Sequence, residues 1–501
     1  MWAASGGNTA GGIYFQRPTG AGNGAGPGRS RSIPERHTMT PTLSAGDTAW
    51  VLASAALVLL MTPGLAFFYG GMTRAKSVLN MMMMSFGAIA LVGVLWTLIG
   101  YSMSFGTDWF GGLVGNFDKF ALHGILATGN GMQLAGTIPE LAFVGFQGVF
   151  AIITVALISG SIADRAKFGA WMVFAFFFSI LVYFPVAHWV FDANKDANGN
   201  FIGGWLNGLG VIDFAGGTAV HINAGAAGLA LALILGRRNG FGKDPNHRPH
   251  NLPFVMLGAG LLWFGWFGFN AGSALGANGV AAFAWINTLV APCAAVLGWL
   301  VVEKLRDGHA TSLGAASGAV AGLVAITPAC AAVSPLWAIV LGVLAGAVCA
   351  LAVGLKYRFG YDDSLDVVGV HLVGGIIGTL FIGLAANPGA PSGGQGLFYG
   401  GGFELLGKQA LGAGTVLVYS FALSLAIGWI ISKTMGFRVS SEAEEAGVDI
   451  ALHAETAYSG NSMGGSSGSA FHPLGSKGEA EVAAFNADDL LTEAARKKVQ
   501  A

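Results

Sequence analysis

Charged side chains are scarce in this 501-residue chain: Asp, Glu, Lys and Arg together make up only 10% of it. A soluble domain carries roughly 25%, so a water-soluble globular fold is excluded at the outset. The few charges also crowd towards the ends. Residues 1–47 hold 6 of the 51 and residues 436–501 hold 15, leaving 30 for the 388 residues between. Cysteine is rarer still. Cys293, Cys330 and Cys349 lie in or at the ends of apolar segments, and an odd, scattered set excludes a disulfide framework or a cysteine metal cluster. No HExxH motif occurs, which removes support for a zinc intramembrane protease. The formal net charge is −1, so no global field draws nucleic acid.

Apolar residues and glycine fill the space. The chain is 53% hydrophobic with 80 glycines, and its mean hydropathy is +0.62. Glycine at about twice its usual share reads, in apolar spans, as close helix packing. Runs long enough to cross a bilayer, about 20 residues each, occur near 48–71, 79–103, 139–161, 169–191, 212–236, 253–272, 279–302, 312–329, 335–355, 366–386 and 411–434. The runs are continuous rather than alternating, which excludes a β-barrel. The reading is an all-α polytopic membrane protein with eleven transmembrane helices. Lys and Arg set its orientation. The odd-numbered connections hold twelve, from Arg74 to Arg358, and the alternate ones hold only Lys119, Lys195 and Lys408. The N-terminus is therefore expected outside and the C-terminus in the cytoplasm.

Four segments follow. Residues 1–46 are expected to be a disordered or non-native extension. They are Gly-rich, lack the apolar core of a signal peptide, and carry Arg17, Arg29, Arg31 and Arg36, which resist export; Met39 is the expected functional start. Residues 47–435 form the transmembrane domain and 436–458 a cytoplasmic regulatory tail. Residues 459–501 are a flexible appendage, opening with a Gly/Ser linker and ending in a short helix over 480–498.

Ionisable groups inside spans are functional by default. His221, in DFAGGTAVHINAGAAG, and His371, in DVVGVHLVGGIIG, both head an H-x3-G-x2-G pattern. The glycines share each histidine's helix face, so another helix can approach there. The two copies lie five helices apart and so run in opposite directions, the signature of an inverted repeat of helices 1–5 and 6–10 with a site at its interface. Singly, either histidine could just bond a neighbouring helix. Haem ligation is disfavoured because each helix carries only one histidine, and zinc because no further ligand sits at the required spacing. Asp213 opens the fifth span, either as its N-cap or as a fixed negative charge near an external cation site. Asp366 reads as the cap of the tenth span and His188 as an interfacial packing residue. The aromatics Phe146, Phe150 and Phe269 could be packing alone, though Asn270 and Ser273 put hydrogen-bonding groups beside rings.

Taken together, MTPGLAFFYGGM, AFVGFQGVFAIIT, DFAGGTAVHINAGAAGLALALILGRR, HNLPFVMLGAGLLWFGWFGFNAGSA, GLVAITPAC, DVVGVHLVGG and GFRV…GVDIALHAETAY resemble, in order, the ammonium transporter, methylammonium permease and Rhesus family, closest to its bacterial and plant members. The resemblance covers roughly residues 46–458. It implies a non-enzymatic homotrimer with a narrow pore for ammonium or ammonia through each subunit, in the cytoplasmic membrane, needing no cofactor or metal. It implies that Phe150 and Phe269 form a stacked gate, that Ser273 and Asp213 belong to the external recruitment site, and that His221 and His371 line the pore. It also implies docking of a trimeric PII-type signal protein on the tail. Two departures stand out. Phe191 takes the place of a tryptophan usual at the external site, with Trp205 the other candidate after an Asp/Asn-rich insertion. Ala454 replaces a glycine in the tail. An electroneutral ammonia channel and an ammonium sensor are the competing functions; sensors with fused kinase or cyclase domains carry more chain than the roughly 65 residues after the last span.

Overall fold

The computed structural model describes residues 42–125, 133–196, 198–243 and 248–458. The expected start at Met39, the Gly/Ser linker and the helix over 480–498 lie outside them. Among the described residues, ten helices are long and apolar enough to cross a membrane: α1 Ala45–Met72, α2 Val78–Phe105, α3 Glu140–Ile162, α4 Phe168–Phe191, α5 Gly217–Leu235, α6 Leu252–Gly272, α7 Gly279–Asp307, α9 Pro335–Phe359, α10 Val368–Ala385 and α11 Glu404–Thr434. The eighth run holds a shorter apolar helix, α8 Ser312–Ile326, which gives way to turns from Thr327. Two short antiparallel pairs, Asp108–Trp109 with Val114–Gly115 and Leu134–Ala135 with Ile138–Pro139, break the all-helical expectation in the connection between α2 and α3.

Helix starts follow local chemistry. Ser44 accepts from the Asp47 N–H, so α1 begins slightly before the expected boundary at 46/47. Asn251, Asn278, Thr311 and Ser334 cap α6, α7, α8 and α9 in the same way, satisfying N–H groups that a helix cannot pair internally. The helix α1 packs along α6, α7 along α9 and α8, and α5 against α11. Leu52, Phe86, Leu297, Leu336, Val418 and Trp429 face outward, as a surface solvated by lipid requires. Large aromatics such as Trp171, Trp266, Phe150 and Phe269 are fully buried.

At the end of the bundle where the chain leaves α11, a buried ion network ties four segments together. The Arg238 guanidinium donates to Asp164 at 2.9 Å and to both oxygens of Asp362 at 2.9 Å. The fully buried Arg165 donates to the Asp362 carbonyl at 2.6 Å. The tail residues 436–458 then fold back over this end. Val439 N–H donates to the Arg165 carbonyl, and Arg438 donates to the Leu235 carbonyl and to Glu444. Two short helices follow, α12 Ser441–Ala446 and α13 Val448–His453. The Asp449 carboxylate accepts from Leu79 and Asn80 N–H at 3.0 and 2.8 Å, capping α2 from a distant part of the chain. Tyr458, the last described residue, reaches His250 at 2.8 Å.

Candidate functional site

Two polar turns position the histidines. The Asp213 carboxylate accepts from the N–H groups of Gly216, Gly217 and Thr218 at 2.7 Å, from Ala219 at 3.4 Å, and from the Thr218 hydroxyl. The chain enters α5 through Gly216 at φ 111°, in the left-handed region that glycine adopts without strain. Its first turn, Gly217–Ile222, is π-helical and carries His221. The start of α10 repeats this design. Asp363 accepts from Val368 N–H at 2.7 Å, Asp366 holds the positive φ of 64°, and the π-helical turn Val368–Leu372 carries His371. Asp366 was expected to cap this helix, and it does not. Its carboxylate accepts instead from Lys356 Nζ at 2.6 Å, and the cap belongs to Asp363. The signal was in the sequence as a repeated spacing, since Asp213 and Asp363 each stand eight residues before a histidine.

The two turns cross where the H-x3-G pattern allows it. A Cβ on Gly225 would lie 2.5 Å from the Leu372 nitrogen, and one on Gly375 would lie 3.2 Å from the His221 Cβ. This close approach brings the imidazoles together, Nδ1 to Nδ1 at 3.3 Å, with ring centroids 5.4 Å apart and planes 22° from parallel. Such a contact is a hydrogen bond when one Nδ1 carries the proton and the other is bare. His221 also stacks on Trp266 at 5.4 Å. The indole is held by its Nε1–H, which donates to the Thr327 hydroxyl at 2.8 Å. His221 Nε2 is buried and makes no hydrogen bond within the protein. Both imidazoles border a small cavity of about 10 Å³ whose other walls include Leu65, Phe68, Leu262 and Phe269, room for one water-sized molecule.

Phe150 and Phe269 lie beside this cavity, stacked at 4.0 Å with planes 17° apart and both buried. Beyond them an open vestibule of about 970 Å³ is lined by Phe150, Phe191, Asp213 and Ser273, among others. Phe191 meets Phe150 edge-on at 6.4 Å. Trp205 instead packs on Trp189 at 5.8 Å and does not line the vestibule. The Ser273 hydroxyl donates to the Phe269 carbonyl at 2.8 Å, which leaves its own lone pairs free to accept. Asn270 is turned away, donating to the Thr288 hydroxyl at 3.0 Å. His188 is no interfacial packing residue. It is fully buried, with Nδ1 3.0 Å from the Ser104 carbonyl and Nε2 3.2 Å from Asp108. Three further carboxylates line the vestibule without a sequence motif to mark them, Asp47, Glu140 and Asp192. The only hint was Asp192 at the head of the Asp/Asn-rich insertion.

A bundle of apolar helices with a polar pair buried at its centre defines a multi-pass membrane protein. The Ammonium Transporter Family profile matches residues 49–458. The chain is 58% identical over 433 residues to an ammonium transporter of Mycobacterium bovis, covering 82% of this chain and 90% of the relative. Among solved structures, the Mep2 protein of Saccharomyces cerevisiae superposes with a TM-score of 0.73 at 33% identity, over 80% of this chain and 89% of that one. A sensor Amt protein superposes with a TM-score of 0.73 at 28% identity, over 81% and 98%. The chain belongs to the ammonium transporter family.

Proposed function

We propose that this protein carries ammonium across the cytoplasmic membrane as ammonia plus a separately handled proton. In this reading α8 is an eleventh span, and α1–α5 and α6–α10 form an inverted repeat. The vestibule opens outside, and the tail lies in the cytoplasm. Twelve Lys and Arg on one set of connections against three on the other support that orientation, and the repeated Asp-to-His spacing supports the repeat. Residues 47–435 are then the transporting domain, 436–458 a regulatory tail, and 1–46 and 459–501 extensions outside the transport machinery.

Ammonium entering a dry pore as an ion would face a large desolvation penalty. Ring faces at Phe191 and Phe150 offer cation–π attraction, the Ser273 oxygen accepts a hydrogen bond, and Asp213 adds negative charge. At the gate one N–H bond of ammonium breaks, and its electron pair stays on nitrogen. The proton forms an N–H bond at a bare ring nitrogen of His221, which lies beside Phe269, and ammonia moves on past Phe150 and Phe269. Sodium and potassium have no proton to shed, so they stay charged and are refused. Below the gate the imidazoles accept a hydrogen bond from ammonia at a bare nitrogen. Their Nδ1 contact offers a path along which a proton can pass from ring to ring.

The observation that carries this reading is the stacked histidine pair bordering a water-sized apolar cavity beside the stacked phenyl rings. A sensor would bind ammonium without passing it, and an electroneutral ammonia channel would pass it without current. Solid-supported-membrane electrophysiology on proteoliposomes separates all three. Wild type is expected to give an ammonium current and none with potassium. The double variant His221→Ala, His371→Ala is expected to lose the current or its discrimination against potassium. Wild-type currents and selectivity in that variant would reject the pore assignment. We further propose a homotrimer, with a PII-type partner docking on the cytoplasmic tail.

A further inference from the structure

Four carboxylates line the vestibule, and three of them are already engaged. Glu140 is neutralised by Lys119 Nζ at 2.7 Å and also accepts from the Tyr101 hydroxyl. Asp213 spreads its charge over the N-terminal N–H groups of α5, whose helix dipole is positive there. Asp47 accepts from the Thr137 hydroxyl at 2.6 Å and the Ala277 N–H at 2.8 Å. Asp192 differs. It is 2% exposed, its Oδ1 accepts one long bond of 3.3 Å from Asn194 N–H, and its Oδ2 is buried with no hydrogen-bond donor. The ring of His188 approaches that oxygen no closer than 3.5 Å, and its Nδ1 already faces the Ser104 carbonyl at 3.0 Å.

We infer that Asp192 is a further cation-recruiting carboxylate, supplying at the vestibule wall next to Phe191 a negative charge that no lysine or arginine side chain pairs with among the described residues. The inference rests on the vestibule being the mouth through which ammonium enters. A phenyl ring is a weaker cation–π partner than an indole, so a chain with phenylalanine at 191 gains from a fixed charge on the following residue. In a concave site with low-dielectric walls, one unscreened charge raises the local cation concentration markedly. The residue acts through its field and needs no contact with the passing ion.

The charge on Asp192 depends on pH within the physiological range. Burial pushes its carboxyl up to about 7, against the opposing pull of Asn194 N–H and Lys119, and Asp108 adds to the rise. His188, in the last turn of α4, and Glu140, Asp213, Asp47 and Tyr101, on the other vestibule walls, are the further ionisable groups around it among the described residues. Recruitment is therefore half-maximal near pH 7, close to full by about pH 8 and lost as pH falls further.

Methylammonium uptake by proteoliposomes containing the full chain tests this, because an alkylammonium stays protonated over about pH 6 to 8. Wild-type KM is expected to rise as external pH falls from about 8 to 6 with Vmax little changed. Asp192→Asn keeps the acceptor for Asn194 N–H. It is expected to raise KM about tenfold at the alkaline end, leave Vmax near wild type and flatten the pH dependence. Asp192→Glu is expected to restore both KM and its slope. An unchanged KM in Asp192→Asn would overturn the inference. So would a loss of Vmax with the wild-type pH slope retained, which marks a structural role. Absence of saturable uptake in wild type would instead remove the transport reading on which this one stands.

Discussion

Asp213 and Asp363 occupy matching places ahead of α5 and α10: each stands eight residues before a histidine and caps the π-helical turn that presents it. The carboxylates are not equivalent in reach. Asp213 accepts at both oxygens, whereas Asp363 accepts from Val368 N–H at one while its other oxygen is buried without a donor. The two histidines are thus delivered to their 3.3 Å contact by the same local device, and only the Asp213 end opens on the vestibule.

That difference predicts what Asp213→Asn does. Asn caps a helix about as well as Asp when one oxygen suffices. Here it would turn an NH2 group towards N–H donors that now meet an oxygen. Substitution is expected to cost about 1–3 kcal/mol of stability and to abolish ammonium transport. Asp363→Asn, with one oxygen already free, is expected to retain more of its stability. Thermal unfolding in detergent, with uptake measured in parallel, checks both. Full uptake in Asp213→Asn would leave that residue a structural role alone.

The glycines at the helix crossing make a second prediction. A Cβ on Gly225 would strike the Leu372 backbone, which has no flexible side chain to give way. Gly225→Ala is expected to cost about 1–3 kcal/mol and to spread the imidazoles, with transport lost. Gly260, inside α6, has open space around it, and Gly260→Ala is expected to be neutral or to stabilise by up to about 1 kcal/mol. Equal melting temperatures for the two variants would contradict the crossing.

Much of this arrangement is legible in the sequence because hydrophobic runs and polar exceptions to them are strong signals in lipid. His221, His371 and Phe269 border one small cavity, and Phe150 and Ser273 line the vestibule beside it. What was not legible depends on partners distant in sequence. His188 looks like an end-of-helix histidine until Ser104 and Asp108 fold onto it. Asp366 looks like a cap until Lys356 takes its carboxylate. Asn270 looks available until Thr288 claims its amide. Of the vestibule carboxylates, Asp47 and Glu140 stand in the first turns of α1 and α3, and Asp192 and Asp213 lie at opposite ends of the long connection between α4 and α5, so no local pattern joins them.

Asp362 gives a pH prediction. Burial raises its pKa, but hydrogen bonds and charge from Arg238, with help from Arg165, more than offset this and hold the carboxyl at about 2. A depressed folded-state value means stability that is present above the unfolded value near 4 and lost as pH falls through about 2. The loss over that window is about 2 kcal/mol. Asp362→Asn is expected to unfold more easily at neutral pH, because it leaves Arg238 buried with Asp164 alone, and to show less acid sensitivity between about pH 4 and 2. Unfolding in denaturant at stepped pH measures both. An unchanged acid slope in the variant would assign the sensitivity to other groups.

The tail supplies the last prediction. Asp449 caps α2 through Leu79 and Asn80, His453 lies 3.0 Å from the Asn80 side-chain oxygen, and Arg438 holds the end of α5 at Leu235. These contacts join the tail to both α2 and the helix that carries His221, so removing it releases helix ends beside the transport machinery. Truncation after Met435 is expected to impair transport or its regulation, whereas truncation after Gly460, which keeps every contact named here, is expected to preserve both. Asp449→Ala alone should cost about 1 kcal/mol as a lost cap. Ala454 sits at φ 53°, a conformation that glycine adopts at lower cost, so Ala454→Gly is expected to tighten the tail and protect it from protease. Uptake and PII pull-down on the two truncations, with limited proteolysis of the point variants, decide the matter. If the chain ending at Met435 matches wild type in uptake and PII pull-down, the tail has no regulatory role.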